Sequence, residues 1–581
     1  MTLLEALLQG GHLRPLDQAL ATTLRRLDGD TSDLVQAGAA LASLAVAQGH
    51  AGFDPARPER LLDAALPWPG IADWASALAS SAWVAQAADG DATTQAPLAF
   101  DNGLLYLRRY REYEHRLAMR LRSLAAQVPA LSGDEGLRPL FDVLFPDAGD
   151  DDRQAQAARL ALRRALLLVT GGPGTGKTTT ITRLLLLLVA QGQRAGAAPL
   201  RIAMAAPTGR AADRMAQSVR GAIERLRTAG VDASLLDALP RDASTLHRLL
   251  GTIPGSPRFR HDVANPLPFD VVVVDEASMV DLPLMCKLAE AVGDGSRLLL
   301  LGDPDQLPSV EAGDVLSGIV AAADGGALAG HRVHLQRGYR QAEGFELAPL
   351  TAAVRDGDAD AVLDILRAGA GAGVFFHEGL EDPLGGVPRD RLLAHWHTLA
   401  AAPSPADALA LAGRLRLLTA LRTGPQGTQA LNARIEDALA GTHRDPYFQG
   451  RLLLVTENSY RHRLFNGDIG VCLRDGDGTM LAWFPDQGAD GVRAFHPASL
   501  PAHEGAFAMT VHKAQGSEFD SVWLLLPRTV NRVLSRELLY TALTRARREL
   551  HVCATGDILR ETLGRRVLRV SGLARRLQHG T

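Results

Sequence analysis

Cysteine is scarce in this chain of 581 residues, which contains only Cys286, Cys472 and Cys553, far apart in the sequence. That spacing supports neither a disulfide framework nor a zinc cluster, so we expect reduced, buried thiols. The apolar runs are also short, and the longest candidate, Leu184 to Val189, is well below the roughly 18 residues that a membrane span needs. Met1 to Gly10 lacks the basic segment of a signal peptide. We therefore expect a cytoplasmic protein with no membrane partner.

Lysine is nearly absent. Of the 61 lysine and arginine residues, the lysines are Lys177, Lys287 and Lys513. The net charge of −4 neither favours nor excludes a nucleic-acid partner, because a binding groove needs only local positive charge. Where arginine is otherwise the rule, a retained lysine indicates a need for its compact ammonium group. Lys177 and Lys513 fall inside the motifs described below, whereas Lys287 is more simply a helix-surface residue.

The pattern of apolar residues divides the chain into regions. Residues 1–130 are predicted to be mostly helical, with one helix over Leu104 to Leu121. An α/β pattern follows, in which apolar segments alternate with helical ones and predict a parallel sheet. A second α/β region begins near Leu415, and residues 447–505 between its two parts have the short alternating strands of a small β-barrel. The strands predicted for the first α/β region are Ala165 to Thr170, Arg201 to Ala205, Val271 to Val274 and Leu298 to Leu301.

A glycine-rich segment follows the first predicted strand and precedes a helix. It matches the phosphate-binding pattern G-x-x-x-x-G-K-[ST] in the context that the pattern requires. Glycines let backbone N–H groups surround the phosphates, and the helix N-terminus adds its dipole. We expect Lys177 to reach the β- and γ-phosphates of ATP, and Thr178 to bind Mg²⁺. The segment comprises Gly171, Gly172, Pro173, Gly174, Thr175, Gly176, Lys177 and Thr178.

Two carboxylates, Asp275 and Glu276, end the buried strand Val271 to Val274. By itself this pattern could be a solvated acidic strand end. With a phosphate-binding loop upstream, it predicts that Asp275 holds Mg²⁺ and that Glu276 polarises the attacking water.

Further segments, in chain order, resemble the motifs of superfamily-one helicases. Two segments, Phe465 to Asp468 and the one that begins at Thr510, are similar to the corresponding segments in the RecD-like branch of that superfamily. Leu105 to Glu114 resembles the N-terminal domain of RecD-like proteins, although an amphipathic structural helix is the alternative. The segments are Gln154, Ala206 to Ala212, Ser244 to Leu250, Asp275 to Ser278, Gly302 to Val310, Tyr339 to Arg340, Thr510 to Phe519 and Leu539 to Ala546.

The resemblance implies an α/β fold with two RecA-like P-loop domains, a helical N-terminal domain and a small inserted SH3-like β-barrel. It implies 5′→3′ movement on DNA, with ATP and Mg²⁺ as cofactors. Its expected partners are single-stranded and duplex-end DNA and the RecB-like and RecC-like subunits of a helicase-nuclease that processes double-strand breaks. The predicted domains are 1–130 for partner docking, 150–345 for the first RecA-like domain, 346–446 with 506–575 for the second, and 447–505 for the barrel.

The resemblance also suggests roles for single residues. Gln154 is expected to read the adenine, and Gln306 to sense the γ-phosphate. Arg340 and Arg545 are expected to stabilise charge on the transferred phosphoryl group, with Arg545 as an arginine finger. Glu518 is expected to meet the ribose and Gly516 the phosphates.

On the nucleic-acid side, the resemblance points to phosphate contacts from hydroxyls and cationic side chains. His247 and His512 could instead be core or capping histidines. Aromatic residues are only 5% of the chain, so the base-stacking side chains of a single-strand site cannot be placed. The predicted DNA contacts are Thr208, Arg210, His247, Thr510, His512 and Lys513.

Three interpretations of the function remain open at this stage. The first is a translocase within a RecBCD-type assembly. The second is a free-standing RecD-like helicase, which usually carries helix-hairpin-helix repeats of a kind not found before residue 130. The third is a catalytically idle scaffold, against which the intact Lys177, Asp275, Glu276 and Arg545 argue.

Overall fold

A computed structural model describes residues 1–581 except 87–95, 132–135, 147–148, 150, 337–344, 370–372, 387, 444, 460, 487–490 and 580–581. In the N-terminal region, helices pack around a three-stranded sheet, in which β1 is parallel to β2 and β2 antiparallel to β3. The elements are α1 (Leu3–Gln9), α2 (Pro15–Leu27), α3 (Asp33–Ala47), α4 (Ile71–Ala79), β1 (Val84–Gln86), β2 (Leu98–Asp101), β3 (Leu104–Leu107) and α5 (Arg108–Ala126).

The predicted helix from Leu104 is wrong over its first turn, because Leu104–Leu107 is strand β3 and the helix begins at Arg108. Asn102 and Gly103 have φ angles of 52° and 83°, which suit the tight turn of a two-stranded hairpin. The turn pairs Leu104 with Asp101 and places Leu105 and Tyr106 in the core. Local helix propensity is therefore overridden by strand pairing.

The first α/β region contains a six-stranded parallel sheet in the order β6-β5-β7-β8-β4-β9. Its central strands are buried on both faces, as continuous apolar runs such as Val271–Val274 require. The predicted strands are confirmed, with ends shifted by at most one residue. The elements are α6 (Arg138–Leu144), α7 (Arg153–Ala161), β4 (Leu166–Gly171), α8 (Lys177–Arg194), β5 (Ile202–Ala206), α9 (Gly209–Thr228), α10 (Ala233–Asp237), β6 (Ser244–Thr245), α11 (Leu246–Leu250), β7 (Val271–Val274), α12 (Leu282–Ala291), β8 (Arg297–Gly302), α13 (Val315–Ala323) and β9 (Arg332–Leu335).

The second α/β region contains a five-stranded parallel sheet in the order β10-β19-β18-β11-β17. Its strands come from both sides of residues 447–505, so this sheet is completed only after the inserted segment. The elements are α14 (Ala348–Asp356), α15 (Ala359–Ala368), β10 (Val374–Glu378), α16 (Pro388–Ala400), α17 (Pro405–Ala412), β11 (Leu415–Thr419), α18 (Thr428–Ala440), β17 (Ala508–Thr510), β18 (Phe519–Leu525), α19 (Arg536–Leu543), β19 (Ala546–Ala554) and α20 (Gly556–Gly564).

The inserted segment forms a five-stranded antiparallel sheet in the order β15-β14-β13-β12-β16, with a small core of its own. The antiparallel strands agree with the sequence pattern, while the SH3-like form of the segment stays a prediction. The strands are β12 (Leu452–Val455), β13 (Ile469–Arg474), β14 (Met480–Pro485), β15 (Val492–Phe495) and β16 (His503–Gly505).

The C-terminal segment leaves the second sheet and packs against the other regions. It ends in α21 (Leu573–His579), which contacts α5 and α13, so the predicted boundary at residue 575 runs through this helix. The Arg576 guanidinium is buried and bonds Asp101 (2.6 Å), while Glu114 accepts from the Ser571 hydroxyl (2.6 Å). Cys286, Cys472 and Cys553 are buried free thiols, as predicted.

Candidate nucleotide site

The glycine-rich loop joins the end of β4 to the start of α8. Gly174 and Gly176 have φ angles of 77° and 83°, a region that side chains with a Cβ rarely occupy. The loop therefore turns its N–H groups toward the N-terminus of α8, where an anion is favoured. The Lys177 ammonium lies across the loop and donates to the carbonyls of Gly171 (2.5 Å) and Gly172 (3.0 Å). The Lys177 ammonium therefore lies beside the backbone N–H groups of the glycine-rich loop.

Two carboxylates follow β7 at the same edge of the sheet. Glu276 has a φ angle of 52°, and a left-handed residue other than glycine costs about 1–3 kcal/mol. This turn directs the backbone N–H of Glu276 to the Asp275 carboxylate (2.8 Å). Burial and the neighbouring Glu276 charge raise the pKa of Asp275 to about 6. A bound divalent cation would relieve the repulsion between the Asp275 and Glu276 charges. Carboxylate and hydroxyl oxygens are the ligands that Mg²⁺ prefers.

The loop after β8 connects the two α/β regions. The Asp303 carboxylate accepts from the Gln306 amide (3.1 Å) and from the Tyr540 hydroxyl (3.0 Å) in α19. Burial and Asp303 hold the pKa of Tyr540 well above its usual value, so the phenol remains a proton donor. The Leu307 backbone N–H also donates to the Thr541 hydroxyl (2.9 Å). The loop that carries Gln306 is therefore hydrogen-bonded to α19 of the second α/β region.

Arg545 lies at the end of α19 and is fully buried. Its Nε donates to the Thr541 carbonyl (3.0 Å) and its Nη1 to the Ser517 carbonyl (3.1 Å). Burial lowers the pKa of Arg545, while the carboxylates of Glu276 and Glu518 counteract this effect. The guanidinium is thus fixed by backbone carbonyls of the second region, near Glu276 of the first region and Glu518 of the second.

One pocket collects most of the predicted nucleotide residues from both α/β regions. Gly171 lies at the strand end beneath the loop, and Gln154 is buried, with its amide donating to the Thr175 carbonyl (3.3 Å). Arg340 lies outside the described residues. The predicted residues that line the pocket are Gly172, Pro173, Gly174, Thr175, Gly176, Lys177, Thr178, Asp275, Glu276, Gln306, Gly516, Glu518 and Arg545.

Arg214 also lines this pocket, and sequence reasoning missed it. It lies on α9, where its Nη2 bonds the Glu518 carboxylate and its Nη1 donates to the Gly516 carbonyl (3.4 Å). Burial lowers the pKa of Arg214, but the charges of Glu518 and Glu276 together raise it above the ordinary value. The one available signal was position, because Arg214 is one helical turn after Arg210 and shares its face of α9.

The residues predicted to contact DNA do not line the nucleotide pocket. Thr208 caps α9 by accepting from the Ala211 N–H (3.2 Å), and Thr510 accepts from the Lys513 N–H (3.3 Å). The Lys513 ammonium pairs with Glu504 in β16 (2.6 Å), a partner that sequence reasoning did not identify.

The remaining three predicted contacts differ in their surroundings. Arg210 lies over the Phe519 ring at 5.8 Å, and His247 meets Phe259 edge-on at 5.7 Å. Burial lowers the pKa of both His247 and His512. Phosphate contact by the six predicted residues stays a prediction.

Three family profiles match separate parts of the chain. The AAA domain matches residues 154–312, and the UvrD-like helicase C-terminal domain matches residues 505–553. The N-terminal domain of the RecBCD enzyme subunit RecD matches residues 9–106.

Curated relatives match nearly the whole length. RecBCD enzyme subunit RecD of Mycobacterium tuberculosis is 41% identical over 98% of this chain and 96% of the relative. The protein of the same name from Haemophilus influenzae is 34% identical over 87% of this chain and 85% of the relative. The chain belongs to the RecD family. Like that family, it is an ATP-dependent helicase, and its P-loop and buried Arg545 are the parts expected of such an enzyme.

Other RecD-related proteins and solved structures are more distant from this RecD-family chain. The ATP-dependent RecD2 DNA helicase of Deinococcus radiodurans is 31% identical over 77% of this chain and 55% of that protein. Bacteroides Pif1 bound to ssDNA aligns with a TM-score of 0.39 at 17% identity, covering 71% of this chain and 94% of that one. Among the described residues, no helix is both long and apolar enough to span a membrane.

Proposed function

We propose that this chain is the 5′→3′ translocating subunit of a RecBCD-type helicase-nuclease, which joins RecB-like and RecC-like subunits and processes double-strand breaks. The strongest support is that Lys177, Glu276 and Arg545 line one pocket although they come from two separate α/β regions. Because the pocket takes residues from both regions, nucleotide binding and hydrolysis are coupled to movement of the two regions relative to each other.

Each side of the pocket has its own role in this proposal. Backbone N–H groups of Gly174 to Thr178 hold the phosphates, and Lys177 neutralises charge between the β- and γ-phosphates. Thr178 and Asp275 would supply oxygen ligands to Mg²⁺, and the bound ion would neutralise negative charge on the phosphates. Glu276 orients and polarises the attacking water. Arg545 stabilises the charge that develops on the γ-phosphoryl group.

Coupling to DNA is assigned to the loop after β8. Gln306 shares the Asp303 carboxylate with Tyr540, and the Gln515 amide donates to the Leu307 carbonyl (2.9 Å). Gln515 lies between Thr510 and Gly516, in the segment proposed to touch both the strand and the nucleotide. A shift of the loop on hydrolysis would therefore move the hydroxyl groups of Thr208 and Thr510 relative to each other.

The polarity is tested by displacement of streptavidin from biotinylated oligonucleotides. The purified chain with ATP is expected to displace a block at the 3′ end and not one at the 5′ end. A Lys177→Gln chain serves as the inactive control. Displacement from the 5′ end alone would contradict the assigned direction.

The partner proposal is tested by co-purification with the RecB-like and RecC-like subunits of the same genome. Deleting residues 1–110 is a poor test, because it removes Asp101, which pairs with buried Arg576. Exposed apolar residues offer milder changes, and Leu16 and Ile71 are 67% and 63% exposed. Leu16→Asp with Ile71→Asp is expected to weaken assembly while Lys287→Gln does not. Equal assembly by the double variant would place docking elsewhere, and failure of the unaltered chain to assemble favours a free-standing helicase.

A further inference from the structure

A second, wider cleft adjoins the nucleotide pocket on the side of α9. Its volume is about 750 Å³, and it lies between α9, the inserted sheet and the start of β11 and β18. It shares Arg214, Gly516 and Glu518 with the nucleotide pocket, so these residues separate the two spaces. Because the pocket also holds Glu276 and Arg545, this boundary is on the side where a γ-phosphate would be cleaved.

The cleft is strongly positive. Among the described residues that line it, eight are arginines and four are carboxylates. A third cleft, of about 360 Å³, adjoins the P-loop and is lined by only two arginines, Arg355 and Arg547. A doubly charged anion that leaves the pocket is therefore drawn toward the wider cleft, because field lines concentrate in a cleft of one sign.

Two arginines in this cleft flank one aromatic ring. Arg210 and Arg416 lie 5.8 and 5.0 Å from the centre of the Phe519 ring. The buried Nη1 of Arg210 and the buried Nε of Arg416 have no hydrogen-bond partner in the described part of the chain. Burial lowers the pKa of Arg210 to about 10, although the nearby Asp468 charge acts in the opposite direction. The other two nitrogens of Arg416 donate to the Ala506 and Ala412 carbonyls. Buried guanidinium N–H groups normally have acceptors, so the Arg210 Nη1 and the Arg416 Nε are available donors for an anion that enters the cleft.

An ion pair closes the boundary between the two spaces. Arg214 bonds Glu518, and the Arg547 Nε lies 3.4 Å from the other oxygen of that carboxylate. Arg214 lies on α9, Glu518 directly precedes β18, and Arg547 lies at the start of β19. A change in the distance between the two α/β regions would therefore open the pair. An arriving phosphate can also replace Glu518 as the partner of Arg214, since both offer paired oxygens to a guanidinium.

We propose that the cleft is an oxyanion site that receives inorganic phosphate from the nucleotide pocket, with the Arg214–Glu518 ion pair as its gate. The proposal rests on ATP hydrolysis in the pocket, in which water attacks the γ-phosphorus and ADP, phosphate and a proton are formed. Phosphate then moves to Arg210 while ADP remains on the P-loop. The assignment of Arg210 to phosphate replaces its predicted contact with the DNA strand. The assignment of Glu518 to the gate likewise replaces its predicted contact with the ribose.

A binding experiment tests the site directly and does not require hydrolysis. With the nucleotide pocket saturated by Mg²⁺-ADP, equilibrium dialysis of radiolabelled inorganic phosphate is expected to reveal one saturable site. Arg210→Gln should weaken it about tenfold, the usual scale for a lost charge-assisted bond. Arg26→Gln, on exposed helix α2, makes the same charge change and should have no effect. Absence of a saturable site, or equal binding by Arg210→Gln, overturns the proposal.

The folded state of the variant is checked by its melting temperature. The Arg210 Nη1 has no described hydrogen-bond partner, so Arg210→Gln removes a buried charge and its attraction to Asp468 but no hydrogen bond at that atom. These two effects on the free energy of unfolding oppose each other, so the melting temperature should stay close to that of the unaltered chain. A large decrease would mean that Arg210 already has a structural partner, which contradicts the proposed site.

A kinetic experiment then separates cleavage from release. Quenched-flow measures ATP cleavage on the enzyme, and a fluorescent phosphate-binding protein measures phosphate in solution. In Arg210→Gln, release should lag behind cleavage by about tenfold relative to the unaltered chain. If the unaltered chain cleaves no ATP, the proposed function fails, while the dialysis result still decides the cleft. Release that keeps pace with cleavage in the variant overturns the exit route.

The alternative ligand of an arginine-rich cleft is the phosphodiester of a DNA strand. Binding of fluorescent oligothymidylate without nucleotide should be within about twofold for Arg210→Gln and the unaltered chain, because in this proposal Arg210 makes no contact with the strand, and only a lost backbone contact would reduce the affinity. If oligothymidylate displaces the labelled phosphate and the variant binds DNA tenfold more weakly, the cleft belongs to the strand path and the proposal is wrong.

Discussion

The two walls of the nucleotide pocket are built in different ways. On the first wall, Lys177, Asp275 and Gln306 sit directly after strands of one parallel sheet, where backbone donors and strand ends already converge. On the second, Arg545 and Glu518 are held by hydrogen bonds within the other region and by contacts across the cleft. We infer that the first wall binds nucleotide by itself, whereas the second contributes only when the regions approach each other. Substitutions on the two walls should therefore affect binding and hydrolysis differently.

The largest effect is expected from Lys177→Gln on the first wall. Losing the point charge between the phosphates should reduce DNA-stimulated ATP hydrolysis by at least about ten-thousandfold and should weaken ATP binding as well. Lys287→Gln is the matched control, because that lysine lies outside the pocket, where it donates to the Pro257 carbonyl and lies near the Tyr113 and Phe259 rings. A steady-state phosphate assay and nucleotide titration measure both quantities. Normal turnover in a folded variant would contradict the role of the P-loop.

Glu276→Gln separates binding from chemistry on the same wall. The amide keeps the shape of the side chain but cannot polarise water, so hydrolysis should decrease about a thousandfold. Binding of Mg²⁺-ATP should remain within about threefold, since the phosphate contacts are unchanged. Titration with a fluorescent ATP analogue measures the affinity. Loss of nucleotide binding would instead mean that Glu276 has a structural role in the left-handed turn.

Arg545→Lys tests the second wall. The positive charge remains, but the fork that bonds the Thr541 and Ser517 carbonyls is lost. Hydrolysis should decrease about a hundredfold, with ADP affinity unchanged, because the finger acts on the transition state. Arg548→Lys, at an exposed position three residues later, provides the control. An equal loss of ADP affinity would show that both walls bind the ground state, and the contrast between them would disappear.

The smallest effect is expected from a single bond between the walls. Thr541→Val removes the hydroxyl that accepts from the Leu307 N–H and should decrease the rate about fivefold, the scale of one neutral hydrogen bond. The decrease should be larger for DNA-stimulated than for basal hydrolysis, because the bond lies on the loop assigned to coupling. Equal decreases in both rates would assign the bond to stability alone.

Two residues have partners that the local sequence pattern does not show, one in a strand pair and one in an ion pair. Leu104 has a helix-forming neighbourhood, yet the Asn102-Gly103 turn pairs it with Asp101 in a sheet. The Lys513 ammonium pairs with Glu504, a contact that no motif indicated, while its predicted DNA contact stays a prediction. In both cases, the deciding partner belongs to an element that local patterns do not connect with the residue.

The sequence by itself determined the P-loop, the acidic end of β7 and the alternation of strands and helices, because each is a contiguous pattern with its own local physics. Only the tertiary structure placed Arg214 beside Glu518, 304 positions later in the chain, and Arg210 in an arginine-lined cleft. It also placed the buried Arg576 beside Asp101, 475 positions away. Such contacts depend on how separate sheets and segments pack, and a one-dimensional pattern does not contain that distance information.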